Sequence, residues 1–240
     1  MCGRITQRRT PDEYVGEIGW PLADGMDLAG PPSYNVPPGT TPLVLHRLPD
    51  SRFHVDRVHW GYRPDWAASK GMPPAINARL EKAAGGRFFG PLWRKGRIIV
   101  PADGWYEWTG AAGQKQPWHI RLASDTPMFL AAIANLPGAA QTGPGFGFAI
   151  VTAAADAGMV DVHDRRPVVF SAQDANLWLD PDLPAVQAEQ LARSTSRPAE
   201  EFIWYPVSKR VNRAASEGAD LIDPVSLETQ CSSDRPATLF

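Results

Sequence analysis

The sequence predicts an α+β fold: a single domain built on an antiparallel, barrel-like β-sheet with a few short helices. Roughly six to eight strand-like segments follow one another at the spacing of hairpins, and the helical segments between them are few and short. Strands that do not alternate regularly with helices argue against a parallel sheet of βαβ units. The chain also shows no internal repeat. The predicted domain covers residues 1–222, and residues 223–240 are expected to form a flexible tail.

The first helix is predicted from its start signal. Thr10 is a suitable N-cap, Pro11 suits the first helical position, and two acidic residues follow in the first turn. This helix is expected to end near Gly19. Residues 31–39 then contain so many prolines that neither a helix nor a central strand is expected, and they are interpreted as a surface loop or a rigid wall.

The middle of the chain is dominated by strand signals. Residues 41–48 and 52–62 flank a Pro-Asp-Ser turn and are predicted to form two strands. Residues 75–84 contain helix-forming residues and are predicted to form a short helix. Further strands are expected at 97–100, 105–108, 118–122, 128–136, 145–152 and 205–207, and later helices after the cap residue Ser171 and from Pro184.

The composition is that of an ordinary soluble protein. Its 240 residues are 43% hydrophobic and 21% charged, and the formal net charge is −2, so the surface as a whole does not attract nucleic acid. The sequence contains no apolar run long enough to span a bilayer and no charged-then-apolar leader. A cytoplasmic protein without a membrane partner is therefore predicted.

Cysteine, arginine and tryptophan usage narrows the classes of site. Cys2 and Cys231 lie near opposite ends of the chain, and a disulfide between them is disfavoured in a reducing compartment. No Cys/His cluster has the spacing of a zinc site, so neither a metal nor a cofactor is predicted. Arginine outnumbers lysine, and there are nine tryptophans. Arginine binds phosphates and tryptophan stacks on bases, so a local nucleic-acid site is compatible with the small negative net charge of the whole chain.

The first residues carry the most specific chemistry. Removal of Met1 is normal before a residue as small as Cys2, and it leaves an α-amine and a thiol on adjacent carbons. Such an aminothiol condenses with an aldehyde to an imine, and the thiol then closes on the imine carbon to give a thiazolidine. Reference pKa values of about 8 for the amine and about 8.5 for the thiol leave both groups usable near neutral pH. The alternative is that Cys2 is only a loose terminal residue.

Other polar residues interrupt apolar or strand-like sequence. Glu107 lies between two tryptophans, and a carboxyl group packed among aromatic rings has a raised pKa and can act as an acid and a base. His163 can shuttle protons near neutral pH, and Asn77 can donate and accept hydrogen bonds without a charge. The alternatives are an outward-facing glutamate, a surface histidine and a helix cap. Three arginines suit phosphate binding, with solvated surface charge as the alternative: Arg4, Arg79 and Arg165.

These stretches match, in order and in type, the motifs of one family. They are Met1-Cys2-Gly3-Arg4, Tyr34-Asn35-Val36-Pro37-Pro38-Gly39, Trp60-Gly61-Tyr62 with Trp66, Asn77-Ala78-Arg79-Leu80-Glu81, residues 100–108, His163-Asp164-Arg165, and Pro206-Val207-Ser208 with Val211-Asn212. On these residues the chain resembles the SRAP family, the SOS response-associated peptidase proteins, from Cys2 to Asn212.

The resemblance implies the capture of abasic sites in single-stranded DNA. In that reaction mature Cys2 forms a thiazolidine DNA–protein crosslink with the C1′ aldehyde of the opened deoxyribose and shields the lesion. The implied catalytic residues besides Cys2 are Asn77, which would position the sugar, and Glu107 and His163, which would move protons. The implied DNA-binding residues are the phosphate-holding Arg4, Arg79 and Arg165, the cleft-shaping Pro38 and Gly39, and Trp108 near the flanking base.

Two positions depart from the family pattern. Leu80 is larger than the usual residue and leaves the placement of Arg79 open, and Arg166 replaces a more usual methionine. Arg166 is interpreted either as a further phosphate contact or as a surface change.

Two other functions remain open at this point. One is a thiol peptidase that uses Cys2 and removes its own Met1, since an N-terminal nucleophile can use its own amine as the base. The other is a non-catalytic module that binds single-stranded DNA. The expected partner is single-stranded DNA containing abasic sites, the expected state is a monomer that associates with the nucleoid when bound to DNA, and the sequence identifies no replication-associated protein.

Overall fold

The computed structural model describes residues 2–21, 30–48, 50, 52–111, 114–136, 143, 145–155, 159 and 162–227. The predicted α+β class is confirmed, because two largely antiparallel sheets are combined with a few short helices. The strands are β1 Ile5–Gln7, β2 Ser33–Val36, β3 Leu43–His46, β4 His54–Arg57, β5 Asn77–Arg79, β6 Arg97–Ala102, β7 Gly104–Thr109, β8 Gln116–Leu122, β9 Met128–Asn135, β10 Gly147–Ala154, β11 Arg165–Pro167, β12 Val169–Phe170 and β13 Phe202–Pro206. The α-helices are α1 Pro11–Ile18, α2 Asp65–Ala68, α3 Leu80–Ala83, α4 Gly90–Lys95, α5 Ala172–Trp178 and α6 Ala185–Ser194.

The two sheets differ in size and in strand order. The smaller sheet has the order β13-β8-β7-β1-β2, and the larger one contains the path β11-β10-β9-β6-β3-β4, with β12 paired to β9 and β5 paired to β10. The β5–β10 pair is parallel, and the other named strand pairs are antiparallel. Both orders are open paths, so the barrel-like sheet of the prediction is realised as two sheets rather than as one closed barrel.

The core lies between the two sheets and on the helical side of the larger one. Side chains from both sheets share one buried cluster, which includes Ile5 and Trp105 from the smaller sheet and Ile98, Leu130 and Ile150 from the larger sheet. A second cluster joins the opposite face of the larger sheet to helices α1, α3, α4, α5 and α6. Alternate residues of a strand point to opposite faces of the sheet, and both faces of the central strands β6 and β9 are covered by one of these clusters. Their side chains are therefore mostly apolar at consecutive positions.

The predicted helix starts are confirmed. Thr10 caps α1 in a reciprocal capping box with Glu13, and Gly19 ends the helix in the left-handed conformation at φ 80°. Ser171 caps α5 through the backbone N–H of Asp174. Only three residues separate the end of β1 from the start of α1, so the segment that carries Cys2 is anchored close to Cys2 itself.

Two predicted elements are corrected by the structure. Residues 33–36, expected to lie in a loop, form the edge strand β2, where the neighbouring prolines remove no hydrogen bond of a central ladder. Residues 77–79, expected to be helical, form β5 because they pair with Ile150–Thr152 of β10, and only residues 80–83 are helical. Tertiary pairing therefore overrides the local helix preference of this segment.

Several predictions fall on residues outside the described part of the chain. These are Met1, Cys231 and the end of the proposed tail, residues 228–240. Within the described part of the proposed tail, the backbone N–H of Val225 donates to the carbonyl of Pro206 at 2.9 Å. None of the described helices reaches the length and apolarity that a bilayer crossing needs. Within the described ranges no group of three or more His, Cys, Asp or Glu side chains is arranged to hold a metal.

Candidate active site and nucleic-acid interface

The segment that carries Cys2 runs beside β7. Ile5 is paired with Trp105, and the backbone N–H of Tyr106 donates to the carbonyl of Arg4 at 2.9 Å. Because this pairing is antiparallel, its continuation brings Cys2 towards the end of β7 that contains Glu107. The Cys2 thiol is free and fully buried.

Asn77 holds the backbone of Cys2. Its side-chain Nδ2 donates a hydrogen bond to the Cys2 carbonyl at 2.9 Å. Asn77 begins β5 opposite Ile150 of β10, so a strand of the larger sheet fixes its position. Its other polar atom, Oδ1, is buried and has no hydrogen-bond partner in the described part of the chain. An unused acceptor beside Cys2 is suited to a substrate hydroxyl group or a protonated amine.

Glu107 is a buried acid next to the same residue. It lies on β7 opposite Trp118 and is 3% exposed. Burial raises the pKa of the Glu107 carboxyl group to about 7, so the group exchanges protons near neutral pH. Burial, and after it the charge of Glu107, raise the pKa of the Cys2 thiol far above its usual range. The sulfur is therefore held as a neutral thiol beside a group that can accept its proton.

His163 lies in the segment just before β11, next to Asp164. The backbone N–H of Arg165 lies within hydrogen-bond distance of His163 Nδ1, at 3.0 Å. The exposed Asp164 carboxylate lies 2.7 Å from the same Nδ1. Burial lowers the pKa of His163, and the charge of Asp164 contributes to raising the pKa of Glu107. The histidine segment is thus electrostatically connected to the buried acid.

Strand β10 joins two of the predicted phosphate-binding arginines. Arg79 on β5 is paired with Thr152 and is exposed. Arg165 on β11 is paired with Ala154, and its Nη2 donates to the carbonyl of Thr152 at 2.6 Å. Arg165 also forms an ion pair with Glu81 at 3.0 Å, and only 10% of its side chain is exposed. Arg79 therefore presents a more accessible charge than Arg165, whose charge is shared with a carboxylate.

Arg4 is held by an asparagine that the sequence analysis left without a role. Arg4 Nη1 donates to Asn35 Oδ1 at 2.5 Å and to the Val211 carbonyl at 3.0 Å. Asn35 is fully buried and donates from Nδ2 to the carbonyls of Arg213 and Ser216 at 2.9 and 2.8 Å. The guanidinium carbon of Arg4 lies 5.8 Å from the centre of the Trp108 ring. Contacts with Asn35, the Val211 carbonyl and the Trp108 ring thus fix the orientation of the Arg4 guanidinium.

Trp108 and the Pro38-Gly39 turn are the remaining predicted parts of the DNA-binding site. Trp108 is half-buried and donates from Nε1 to Asn212 Oδ1 at 2.6 Å. Gly39 has φ 87°, a conformation that favours glycine, and its N–H donates to the Trp60 carbonyl at 2.9 Å. Trp60 in turn donates from Nε1 to the carbonyl of Ile76, the neighbour of Asn77. The turn is therefore connected to the Asn77 strand through one tryptophan.

The two residues that depart from the family pattern, Leu80 and Arg166, are both buried. Leu80 is buried in the helix-side core while its neighbour Arg79 is exposed, so the larger side chain does not displace the arginine into the core. Arg166 is buried, donates to the Arg197 carbonyl at 2.7 Å and lies over the Phe202 ring. Its burial contradicts the interpretation of Arg166 as a surface change, and the phosphate contact stays a prediction.

The structure brings most of the predicted residues together. Cys2 and Asn77 are joined by a hydrogen bond, and Glu107 acts on Cys2 through its charge. Asp164, the neighbour of His163, acts on Glu107 through its charge. Arg4 and Trp108 form a neighbouring pair, and Arg79 and Arg165 flank β10. The sequence analysis missed the supporting residues Asn35, Glu81, Thr152 and Asn212. Asn35, Glu81 and Asn212 lie within the quoted motifs, whereas Thr152 is an ordinary strand residue in sequence.

Comparison with known proteins identifies the family of this chain. The sequence model of the SOS response associated peptidase (SRAP) family matches residues 1–214. This chain belongs to the SRAP family. It is 43% identical over 227 residues to the abasic site processing protein YedK of Escherichia coli K12, covering 94% of this chain and 100% of YedK. It is 28% identical to the abasic site processing protein HMCES of Gallus gallus, covering 82% of this chain and 67% of that protein.

Solved structures give the same result for the fold. The crystal structure of a phage-related protein from Bordetella bronchiseptica superimposes with a TM-score of 0.76 at 40% identity, covering 90% of this SRAP chain and 99% of that chain. A Bacteroides thetaiotaomicron protein at 18% identity has the same fold with a TM-score of 0.75, covering 94% of this chain and 100% of that chain. The SRAP fold therefore persists at low sequence identity.

Proposed function

We propose that this SRAP protein processes abasic sites by capturing them covalently in single-stranded DNA through Cys2. The observation that carries the proposal is the position of Cys2, whose carbonyl is held by Asn77 and whose thiol lies within the field of the buried acid Glu107. The names of the relatives YedK and HMCES, both abasic site processing proteins, support the choice of substrate.

The chemistry starts from a chain that has lost Met1. Hydrolysis of the Met1–Cys2 peptide bond frees the α-amine of Cys2. The amine then attacks C1′ of the opened sugar, and loss of one water molecule gives an imine. The thiol sulfur adds to the imine carbon, and its proton is transferred to the nitrogen. The product is a thiazolidine in which the protein and the DNA are joined by one C–N and one C–S bond.

Two residues move protons in this scheme. The closed hemiacetal opens when the ring oxygen gains a proton and the C1′ hydroxyl group loses one. His163 donates a ring proton to the ring oxygen of the sugar. Glu107, with a pKa of about 7, accepts the proton of the hydroxyl group or of the thiol and returns it to the departing water. Asn77 Oδ1 accepts a hydrogen bond from the sugar or the amine.

The DNA backbone is held by arginines. Arg4, Arg79 and Arg165 contact phosphates without reading sequence, so binding depends on salt and not on base identity. Trp108 stacks near the flanking base, while Pro38 and Gly39 shape the cleft. An unpaired strand avoids the energy of extruding the sugar from a duplex, which makes single-stranded DNA the substrate. The protein acts as a monomer in the cytoplasm, at the nucleoid.

One experiment separates this function from the alternatives. Single-stranded DNA with one abasic site is incubated with the wild type, Cys2→Ala and Cys2→Ser, and the products are resolved under denaturing conditions. Covalent capture gives a denaturation-resistant band with the wild type alone. A simple DNA-binding module gives no such band and equal affinity in all three proteins, which would contradict the proposal.

A peptidase activity of Cys2 is compatible with the name of the family. Removal of Met1 requires only one intramolecular turnover, for which the Cys2 thiol is the nearest nucleophile. Intact mass analysis of the Cys2→Ser and Glu107→Gln variants tests this step, because retained Met1 in either variant identifies self-processing. Turnover of added peptides by the mature wild type would instead indicate a general thiol peptidase.

A further inference from the structure

The segment from Ser208 to Glu217, which we call the C-terminal turn, is bound to the proposed DNA site. It begins with a short 3-10 helix, Lys209–Asn212. The turn is far from Arg4 in sequence, yet the Val211 carbonyl accepts a hydrogen bond from the Arg4 guanidinium. The C-terminal turn is therefore a wall of the site and not a separate appendage.

Two asparagines fix the position of this wall. Asn212 accepts the indole N–H of Trp108 at 2.6 Å. The buried Asn35 binds the carbonyls of Arg213 and Ser216 while it also accepts from Arg4. These contacts make one continuous network from Trp108 through the C-terminal turn to Arg4. The backbone of Arg213 lies inside that network.

The C-terminal turn carries positive charge beside Trp108. Arg210 forms an ion pair with Asp220, and Glu217 accepts hydrogen bonds from Ser33 Oγ and the Tyr34 N–H at 2.7 and 2.9 Å. Both carboxylates therefore have partners. Arg213 is exposed and has no ion-pair partner among residues 2–227 as far as the structure describes them. Its guanidinium is thus available to an anion from outside the chain.

We propose that the C-terminal turn is an additional DNA-contact surface, on which Arg213 binds a backbone phosphate of the strand beside the lesion, next to the base at Trp108. This inference rests on the proposed function. An aromatic ring with adjacent cations is the arrangement that tracks single-stranded nucleic acid, since the ring stacks on a base and the cation binds the neighbouring phosphate. A planar guanidinium also suits the two free oxygens of a phosphodiester.

The test compares Arg213→Gln with Arg210→Gln as a matched control. Both substitutions remove one positive charge from the same turn, but the charge of Arg210 is already paired with Asp220. Binding is measured by fluorescence anisotropy over a salt series, on single-stranded DNA that carries a tetrahydrofuran analogue of the abasic site. This analogue has no aldehyde, so only non-covalent binding is recorded. Circular dichroism and thermal unfolding verify that both variants fold.

We expect Arg213→Gln to weaken binding severalfold at low salt and to reduce the salt slope by about 0.7, the contribution of one phosphate contact on a single strand. Arg210→Gln should retain the wild-type slope. Equal slopes for Arg213→Gln and the wild type, or equal losses in the two variants, would overturn the inference, since the second result indicates general surface charge.

The two proposals fail in different ways. If the wild type forms no crosslink with an authentic abasic site, the proposed function fails, whatever the salt slopes. If the wild type forms the crosslink and Arg213→Gln keeps its salt slope, only the role of Arg213 fails. Arg213→Lys adds a further check, because it preserves the charge and should recover most of the salt slope.

Discussion

Asn77 donates a hydrogen bond from Nδ2 to the backbone carbonyl of Cys2, at 2.9 Å, and its buried Oδ1 has no partner within the described residues. One side chain therefore positions the proposed nucleophile and presents an acceptor to the substrate. This hydrogen bond links Cys2 to β5 of the larger sheet, which is why Cys2 is held against the core although it lies near the start of the sequence.

Asn77→Asp is predicted to slow crosslinking by about 100-fold, because a displaced nucleophile loses the benefit of proximity. The aspartate keeps the shape and an acceptor oxygen but cannot donate to the Cys2 carbonyl. The measurement is single-turnover crosslinking at saturating DNA. Affinity for the tetrahydrofuran analogue should stay within about twofold of the wild type. A wild-type crosslinking rate in Asn77→Asp would show that the hydrogen bond to Cys2 is only structural.

The crosslinking rate of the wild type is predicted to change with an inflection near pH 7, because burial raises the pKa of Glu107 to about 7. Glu107→Gln should remove that inflection and lower the rate about 100-fold, the usual contribution of a general acid–base group. Single-turnover rates between mildly acidic and mildly alkaline pH test both statements. An unchanged inflection in the variant would assign the titration to another group.

Glu107→Gln is also predicted to stabilise the fold at alkaline pH. A carboxyl group whose pKa is higher in the folded state than in the unfolded state lowers stability as pH rises, because the unfolded chain ionises first. Each tenfold change in the acid constant corresponds to about 1.4 kcal/mol, so a pKa raised from 4.5 to about 7 lowers the free energy of unfolding by about 3 kcal/mol above neutral pH.

Urea unfolding of the two proteins at several pH values measures this difference. The advantage of Glu107→Gln should be largest above pH 7, decrease between the folded-state and unfolded-state pKa values, and disappear below 4.5, where the carboxyl group is protonated in both states. A constant difference across the whole range would mean that the substitution acts through packing and not through ionisation.

Asn35→Ala is predicted to destabilise the fold by about 3 kcal/mol, because buried groups that lose a hydrogen-bond partner carry the full cost of desolvation. The substitution leaves the carbonyls of Arg213 and Ser216 without their donor and releases Arg4. Thermal or urea unfolding measures the loss. Asn35→Asp keeps only the acceptor for Arg4, so it should retain more of the DNA affinity than Asn35→Ala. Equal DNA affinity of the two variants would show that the hydrogen bond between Asn35 and Arg4 does not contribute to DNA binding.

Much of the site was predictable because its residues have distinctive local chemistry. Cys2 follows Met1, Glu107 lies between two tryptophans, and His163 lies next to charged residues, so the local sequence alone indicates each of them as a candidate. The motif order then identified the family. The helix starts at Thr10 and Ser171 were predictable for the same reason, since capping depends on a few neighbouring residues.

The remaining features depend on contacts between distant parts of the chain. Residues 77–79 became a strand because β10 pairs with them, and no local pattern contains that information. Asn35 supports Arg4 from β2, and Asn212 holds Trp108 from the other end of the chain. Arg166 is buried against the ring of Phe202 although arginine is usually exposed. Such relationships are properties of the three-dimensional packing.

The central claim is that a free amine and thiol on Cys2 react together with the aldehyde of an abasic site. Intact mass analysis of the purified DNA–protein adduct tests it most directly. The claim predicts the mass of the chain without Met1, plus the oligonucleotide, minus one water molecule, and the adduct should survive denaturation. An adduct that retains Met1, or DNA that separates from the denatured protein unchanged, would contradict it.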